Sequence, residues 1–206
     1  MPMAERTPAA DVPTGNTYDK YASSNPIERR LMGGFFAALD ASLPDARPER
    51  VLEVGVGEGE VARRIGARWP GVPVAGIDLA DEALAASWRD AGVLGSFSDI
   101  TRLPFADDTF DLVLAIEVLE HVPDPERSVA ELARVARGRL VLSVPREPIW
   151  RVANLARGKY LGDLGNTPGH IQHWSARRFA QLVGRHVQVD AVRRPLPWTM
   201  VAARVR

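Results

Sequence analysis

The 206-residue chain is 46% hydrophobic and 25% charged, with 26 basic and 26 acidic side chains and no cysteine. This composition supports one domain with a sizeable core and excludes wholesale disorder. The lack of cysteine excludes disulfides, thiolate zinc sites, cysteine-ligated iron–sulfur clusters and a cysteine nucleophile, and the even charge balance gives no global field to draw the chain onto nucleic acid.

No stretch approaches the roughly 20 apolar residues that span a bilayer. Met1 to Asn16 lack the apolar run of a signal peptide. A cytoplasmic protein without an integral membrane segment is expected. Residues 1–16, rich in Pro, Ala, Thr and Gly, read as a mobile tail, and residues 17–206 as a single domain.

From Tyr18 to about Leu43 the pattern is helical, with Ile27, Leu31, Phe35 and Leu39 at four-residue spacing. The next hundred residues alternate β-rich runs with amphipathic helices. Val51–Val54 is a predicted strand that ends in Gly55, Gly57 and Gly59, and a helix follows through Val61, Ala62, Ile65 and Trp69. Val72–Ile77 is a second strand ending on Asp78, Glu82–Ala91 a helix, and Leu94–Phe97 a third strand before Asp99. Phe110–Ile116 is almost continuously apolar, as a strand buried on both faces should be. Val129, Leu132, Ala133 and Ala136 have helical spacing, and Leu140–Val144 is a fifth strand. Such alternation predicts an α/β fold, doubly wound, with a mostly parallel sheet and helices on both faces. After Pro145, residues 146–174 form an irregular insertion. A helix capped by Ser175 and a β-hairpin, Val187–Val192 with Thr199–Val205, close the chain.

The glycine turn Gly55-Val56-Gly57-Glu58-Gly59 joins a strand to a helix, so a ligand can approach the backbone beside the helix N-terminus. Glu60 stands where a dinucleotide fingerprint needs a small residue. No Lys-Ser or Lys-Thr pair follows, so this is not a phosphate-cradling loop. Glu53, Glu58 and Glu60 would repel a pyrophosphate but suit an ammonium or sulfonium charge. Asp78, 23 residues beyond Gly55, is placed to accept ribose hydroxyls. Asp99 with Ile100 is placed for an adenine edge. A strand-end Asp serves equally well as a helix cap.

These residues resemble the class I S-adenosylmethionine-dependent methyltransferases, in particular the type 11 small-molecule group. The resemblance rests on VLEVGVGEG (51–59), GIDLADEAL (76–84), SDITRLPFADDTFDLVLAIEVLEHVPDP (98–125) and LVLSVP (140–145). It implies a seven-stranded sheet in the order 3-2-1-4-5-7-6 and S-adenosyl-L-methionine as cofactor, with S-adenosyl-L-homocysteine as product. By the resemblance, Gly55 and Gly57 flank the methionine part and Glu53 lies near its amino group. Asp78 holds the ribose, Leu79 touches the adenine, Asp99 and Ile100 clasp its edge, and Ile116 and Glu117 line the pocket floor.

Methyl transfer is an in-line displacement at a carbon that the sulfonium already activates, so alignment and water exclusion dominate. It needs no metal, and none is expected. Where an acceptor proton must leave, His170 and His173 in the insertion and His121 after the fourth strand are the candidate bases. The alternative role for each is to order its loop. The insertion reads as the cover of the acceptor site, with Arg146 and Trp150 as candidate acceptor contacts. A short amphipathic helix there would turn Trp150, Val152, Leu155 and Ala156 toward the pocket and Arg151, Arg157 and Lys159 outward, with peripheral membrane contact as a second use. Tyr18 and Tyr21, in a lid helix within 17–48, are candidate contacts as well. The expected partner is a small-molecule acceptor and not nucleic acid, since no Asn/Asp-Pro-Pro-Tyr/Phe signature follows the fourth strand. Two alternatives remain open: a nicotinamide-dependent oxidoreductase and a non-catalytic nucleoside-binding protein.

Overall fold

The computed structural model describes residues 25–206, so Tyr18, Tyr21 and the tail lie outside the described residues. Seven strands are formed: β1 (Val51–Val54), β2 (Val74–Asp78), β3 (Val93–Phe97), β4 (Phe110–Ile116), β5 (Ala136–Pro145), β6 (Gln188–Arg193) and β7 (Trp198–Arg204). They make one sheet in the order β3-β2-β1-β4-β5-β7-β6. The first five pair in parallel, and β7 runs antiparallel to both its neighbours. The expected order and closing hairpin are therefore present.

Side-chain alternation divides the core between the two faces. Leu52 and Val54 of β1, Val113 and Ala115 of β4, and Leu140, Leu142 and Val144 of β5 pack on one side with Val129, Leu132 and Phe179. These last three belong to α4 (Pro125–Val135) and α6 (Ala176–Gly184). Val51, Leu112, Leu114, Ile116 and Val141 pack on the other side with Phe35, Leu39, Ile65 and Trp88. Those helices are α1 (Pro26–Asp40), α2 (Glu60–Arg68) and α3 (Glu82–Asp90). The same alternation sends Glu53 to the face of Val51, among the helices that follow β1 and β2.

Local chemistry sets the helix starts. The side chains of Asn25, Asp124 and Ser175 accept from the amides of Ile27, Arg127 and Arg178, and prolines open α1 and α4 where a missing N–H costs nothing. The acid-rich stretch before β4 is held by Arg134. Its guanidinium donates to both Glu131 oxygens, to Asp107, and to the carbonyls of Leu103 and Phe105. That fan pins the β3–β4 connection to α4 and holds the Glu131 carboxyl below its usual range.

Two differences from expectation have physical causes. Strand β5 starts at Ala136, four residues early, because Arg137 pairs with Asp111 and Glu49, and Arg139 pairs with Asp190. Polar residues thus enter a strand that hydrophobic periodicity cannot detect. Within the insertion, α5 (Ile149–Ala156) forms, but Val152 is 61% exposed while Asn154 is buried at 1%. The expectation that Val152 and Leu155 face the pocket is corrected. Asn154 turns inward because its amide donates to the Gly165 carbonyl and the Thr167 hydroxyl, and its own oxygen accepts from Arg157.

Gly95 on β3 lies against the Trp88 ring so closely that a methyl group there would strike ring carbons. Gly95→Ala is expected to destabilise the fold by about 1–3 kcal/mol, the range for overpacking. A lowered midpoint in urea with an unchanged slope would check it.

Candidate functional site

The parallel register of β2, β1, β4 and β5 brings their carboxyl ends to one edge of the sheet, where ligands of open α/β sheets bind. Beyond β1 the chain turns through Gly55, whose φ is +73° and whose N–H donates to the Ile77 carbonyl at 2.7 Å. A Cβ at Gly55 would collide with Val118. At Gly57, φ is +50° and a Cβ would meet no atom of the described residues within 4 Å, so among them this side of the turn leaves room for a ligand.

Gly57 is held from both ends. Its N–H donates to Asp78 Oδ2 at 2.7 Å, and its carbonyl accepts from the Trp88 indole at 2.8 Å. Asp78 Oδ1 accepts from the Leu79 amide at 2.8 Å. Burial raises the Asp78 pKa, and these two amides oppose the shift. Each oxygen of the carboxylate keeps a further lone pair. Leu79 is 48% exposed beside it. After β3, Asp99 Oδ1 accepts from both the amide and the hydroxyl of Thr101, at 2.7 and 2.8 Å, above the buried Ile100.

A small cleft beside the turn is lined by Glu53, Gly55, Val56, Glu58, Glu60 and Ile116. Glu53 is 2% exposed, and among the described residues its Oε2 has no hydrogen-bond partner. Burial pushes its carboxyl well above the usual glutamate range, and Asp78 pushes it further. The arrangement calls for a cation that brings its own N–H donors. Glu117, with φ +60°, ends β4; its carboxylate accepts from Ser143 at 3.1 Å and from the Trp198 indole at 2.6 Å.

Where residues 146–174 meet the segment after β4, the packing is aromatic. Trp150 donates to Thr167 at 2.9 Å, and its ring centroid lies 5.8 Å from both His170 and Trp198. His170, 8% exposed, meets the His121 ring edge-on at 4.9 Å. His121 Nδ1 lies 3.0 Å from the Gly169 carbonyl, so this ring also ties the insertion to the segment after β4. His173 instead contacts Arg151 at 3.0 Å and faces Glu147 at 3.8 Å. Burial and Arg151 lower its pKa, against the pull of Glu147. The Arg146 amide donates to the Pro197 carbonyl at 2.9 Å, and burial together with Arg194 lowers the pKa of its guanidinium. The structure thus gathers His121, His170 and Trp150 and pairs His173 elsewhere.

Sequence reasoning missed Trp88 and Trp198, whose indoles hold the glycine turn and Glu117. Neither stands in a pattern, since each acts through a single N–H across the fold. A larger groove of about 570 Å³ lies between α1 and the β6–β7 loop, away from the glycine turn, and includes Arg30 and Arg194.

Residues 52–142 match the family model described as a methyltransferase domain. The chain is 41% identical over 100 residues to phosphatidylethanolamine N-methyltransferase of Cereibacter sphaeroides, covering 45% of this chain and 48% of that protein. It is 36% identical over 119 residues to demethylmenaquinone methyltransferase of Thermus thermophilus, covering 54% of each. The matched stretch therefore spans about half the length of these relatives. Among solved structures, an S-adenosylmethionine-dependent methyltransferase from Aquifex aeolicus shares the fold, with a TM-score of 0.69 and 19% identity over 88% of this chain and 94% of that one.

Glu53 yields a prediction with a definite sign. Its folded pKa lies above its unfolded value, so the folded chain holds a proton that the unfolded chain releases. Its contribution to stability is greatest below the ordinary glutamate pKa and is lost as pH rises toward the folded value. Without ligand, Glu53→Gln is expected to melt higher than the parent at pH 8, with the gap narrowing at pH 5, as read by thermal scans at both pH values.

Proposed function

We propose that this chain, which belongs to the class I S-adenosylmethionine-dependent methyltransferases, transfers a methyl group from S-adenosyl-L-methionine to oxygen, nitrogen or carbon of a small-molecule acceptor. When bound, the cofactor supplies a methyl on a cationic sulfur, ready for in-line displacement, and departs as S-adenosyl-L-homocysteine. The observation that carries the reading is the buried Glu53 carboxylate, one oxygen of which is unmet among the described residues, next to a glycine turn whose outer side they leave uncovered. That pair suits the ammonium of an amino acid laid along backbone.

The other residues fall into place around it. Asp78, already anchored by two amides, offers its remaining lone pairs to ribose hydroxyls. Leu79 gives exposed apolar surface to the adenine, and Ile100 with Asp99 its other border. Ile116 backs the cleft, and Gly55 and Gly57 let the methionine part approach. Glu117 is turned to Ser143 and Trp198, so its part is to fix the wall between cofactor and acceptor. These residues align the methyl and exclude water, which is most of what the displacement requires.

His121, His170, Trp150 and Arg146 border the acceptor, and His173 steadies the insertion through Arg151 and Glu147. The relatives named above methylate a lipid amine and a quinone precursor by their names, which supports a small-molecule acceptor without choosing the atom. The reading includes a cytoplasmic location, and no described helix is long and apolar enough to cross a membrane.

Calorimetry separates this proposal from a dinucleotide enzyme. S-adenosyl-L-methionine is expected to bind at micromolar concentration and NAD not to bind; the reverse outcome would overturn the reading. Asp78→Asn is expected to weaken cofactor binding tenfold or more, since it disturbs both the Gly57 contact and the ribose acceptors. In a radiolabelled methyl screen of small-molecule extracts, His170→Ala is expected to cut transfer at least tenfold and His173→Ala less than threefold.

A further inference from the structure

Beyond methyl transfer, and without resting on it, we propose that Glu120, His121 and His170 form a binding site for one divalent transition-metal ion of the zinc type. One ligand atom from each residue lies within 4.8 Å of the other two. Two imidazoles and one glutamate form a known open zinc set, leaving a coordination position for water or another oxygen. At bonds of about 2.0–2.1 Å, tetrahedral ligand atoms stand roughly 3.4 Å apart, so the set would draw in from its present spacing to hold the ion.

The surroundings are those of ligands held in place. Glu120 and His121 lie on the 3-10 turn Leu119–His121 that follows β4, and His170 comes from the insertion. The two segments are joined by backbone, with the amides of Ile171 and Gln172 donating to the Glu120 carbonyl at 2.9 and 3.0 Å. The Gly169 carbonyl can only accept, so His121 Nδ1 carries the proton in that 3.0 Å contact and a neutral ring bears its lone pair on Nε2. Metal-bound histidines commonly show this carbonyl-anchored tautomer. Trp150 lies against His170 and limits how that ring can turn. Glu120 is 1% exposed, which holds its carboxylate in one place, and the exposed His121 gives an ion a way in. The sequence alone gave no reason to expect a metal, because Glu120 and His170 are 50 residues apart.

The test uses untagged, chelator-stripped full-length protein titrated with Co²⁺, followed by visible absorption and calorimetry. One equivalent is expected to bind at micromolar concentration with a ligand-field band between about 500 and 650 nm, and Zn²⁺ should displace it. His121→Ala and His170→Ala should each weaken binding tenfold or more, and His186→Ala should bind as the parent does. Glu120 is buried and its variant can misfold; His121 is exposed, so His121→Ala keeps the test decisive. Absence of a saturable signal in the parent, or parent-like affinity in both histidine variants, would overturn the proposal. Cofactor binding measured on the same samples keeps this outcome separate from the methyl-transfer reading. A ligating imidazole has no lone pair left to take a proton, so a bound ion makes His170 a positioning residue.

Discussion

The site depends on how Gly57 is clamped. A single peptide turn receives a carboxylate from β2 on its N–H and an indole from α3 on its carbonyl. Each contact is an ordinary hydrogen bond, worth on the order of 1 kcal/mol net. Together they fix the turn against two different elements, so it keeps its left-handed backbone without help from a ligand. Glu53, Ile116 and Leu79 take their positions relative to that turn. Pre-organisation of this kind favours any reaction that depends on alignment, because misplaced reacting atoms cost rate steeply.

Electrostatics then selects the occupant. Glu53 sits on the face that α1, α2 and α3 cover because β alternation sends it there, and burial makes its charge costly. Glu58 and Glu60 share the cleft. A pyrophosphate would meet these acids, whereas a ligand with an ammonium or sulfonium would relieve them. A carboxylate destabilising in the empty protein therefore becomes favourable once a cation is seated, which links binding to the state of the fold.

Much of this was legible in the sequence. The strands β1, β2 and β4 are apolar runs ended by Gly55, Asp78 and Glu117, and the acid-rich 98–125 block is the one Arg134 stitches down. What stayed hidden acts across long separations or against periodicity. Trp88 and Gly57 are 31 residues apart, and Trp198 and Glu117 are 81 apart. The start of β5 is charged, and only its ion pairs to Asp111, Glu49 and Asp190 explain its place in the sheet. In α5 the apolar pattern misleads, because an asparagine with three hydrogen bonds outcompetes Val152 for the interior. The surroundings of the histidines in residues 146–174 depend on this tertiary assembly, so spacing could nominate His170 and His173 but not tell their contacts apart.

The base of the insertion has a further consequence. The Glu147 amide donates to the Trp174 carbonyl at 2.9 Å, and Arg146 and Trp174 form a bridge. The two ends of the 147–174 segment are thus fastened to each other where they leave the sheet. A loop closed at its neck costs only slowly more as it lengthens. The segment is in effect an exchangeable cassette, in which length and composition can drift while β5 and α6 hold their places. The fold can therefore keep the cleft at the glycine turn unchanged while the surface that the cassette presents beside it varies.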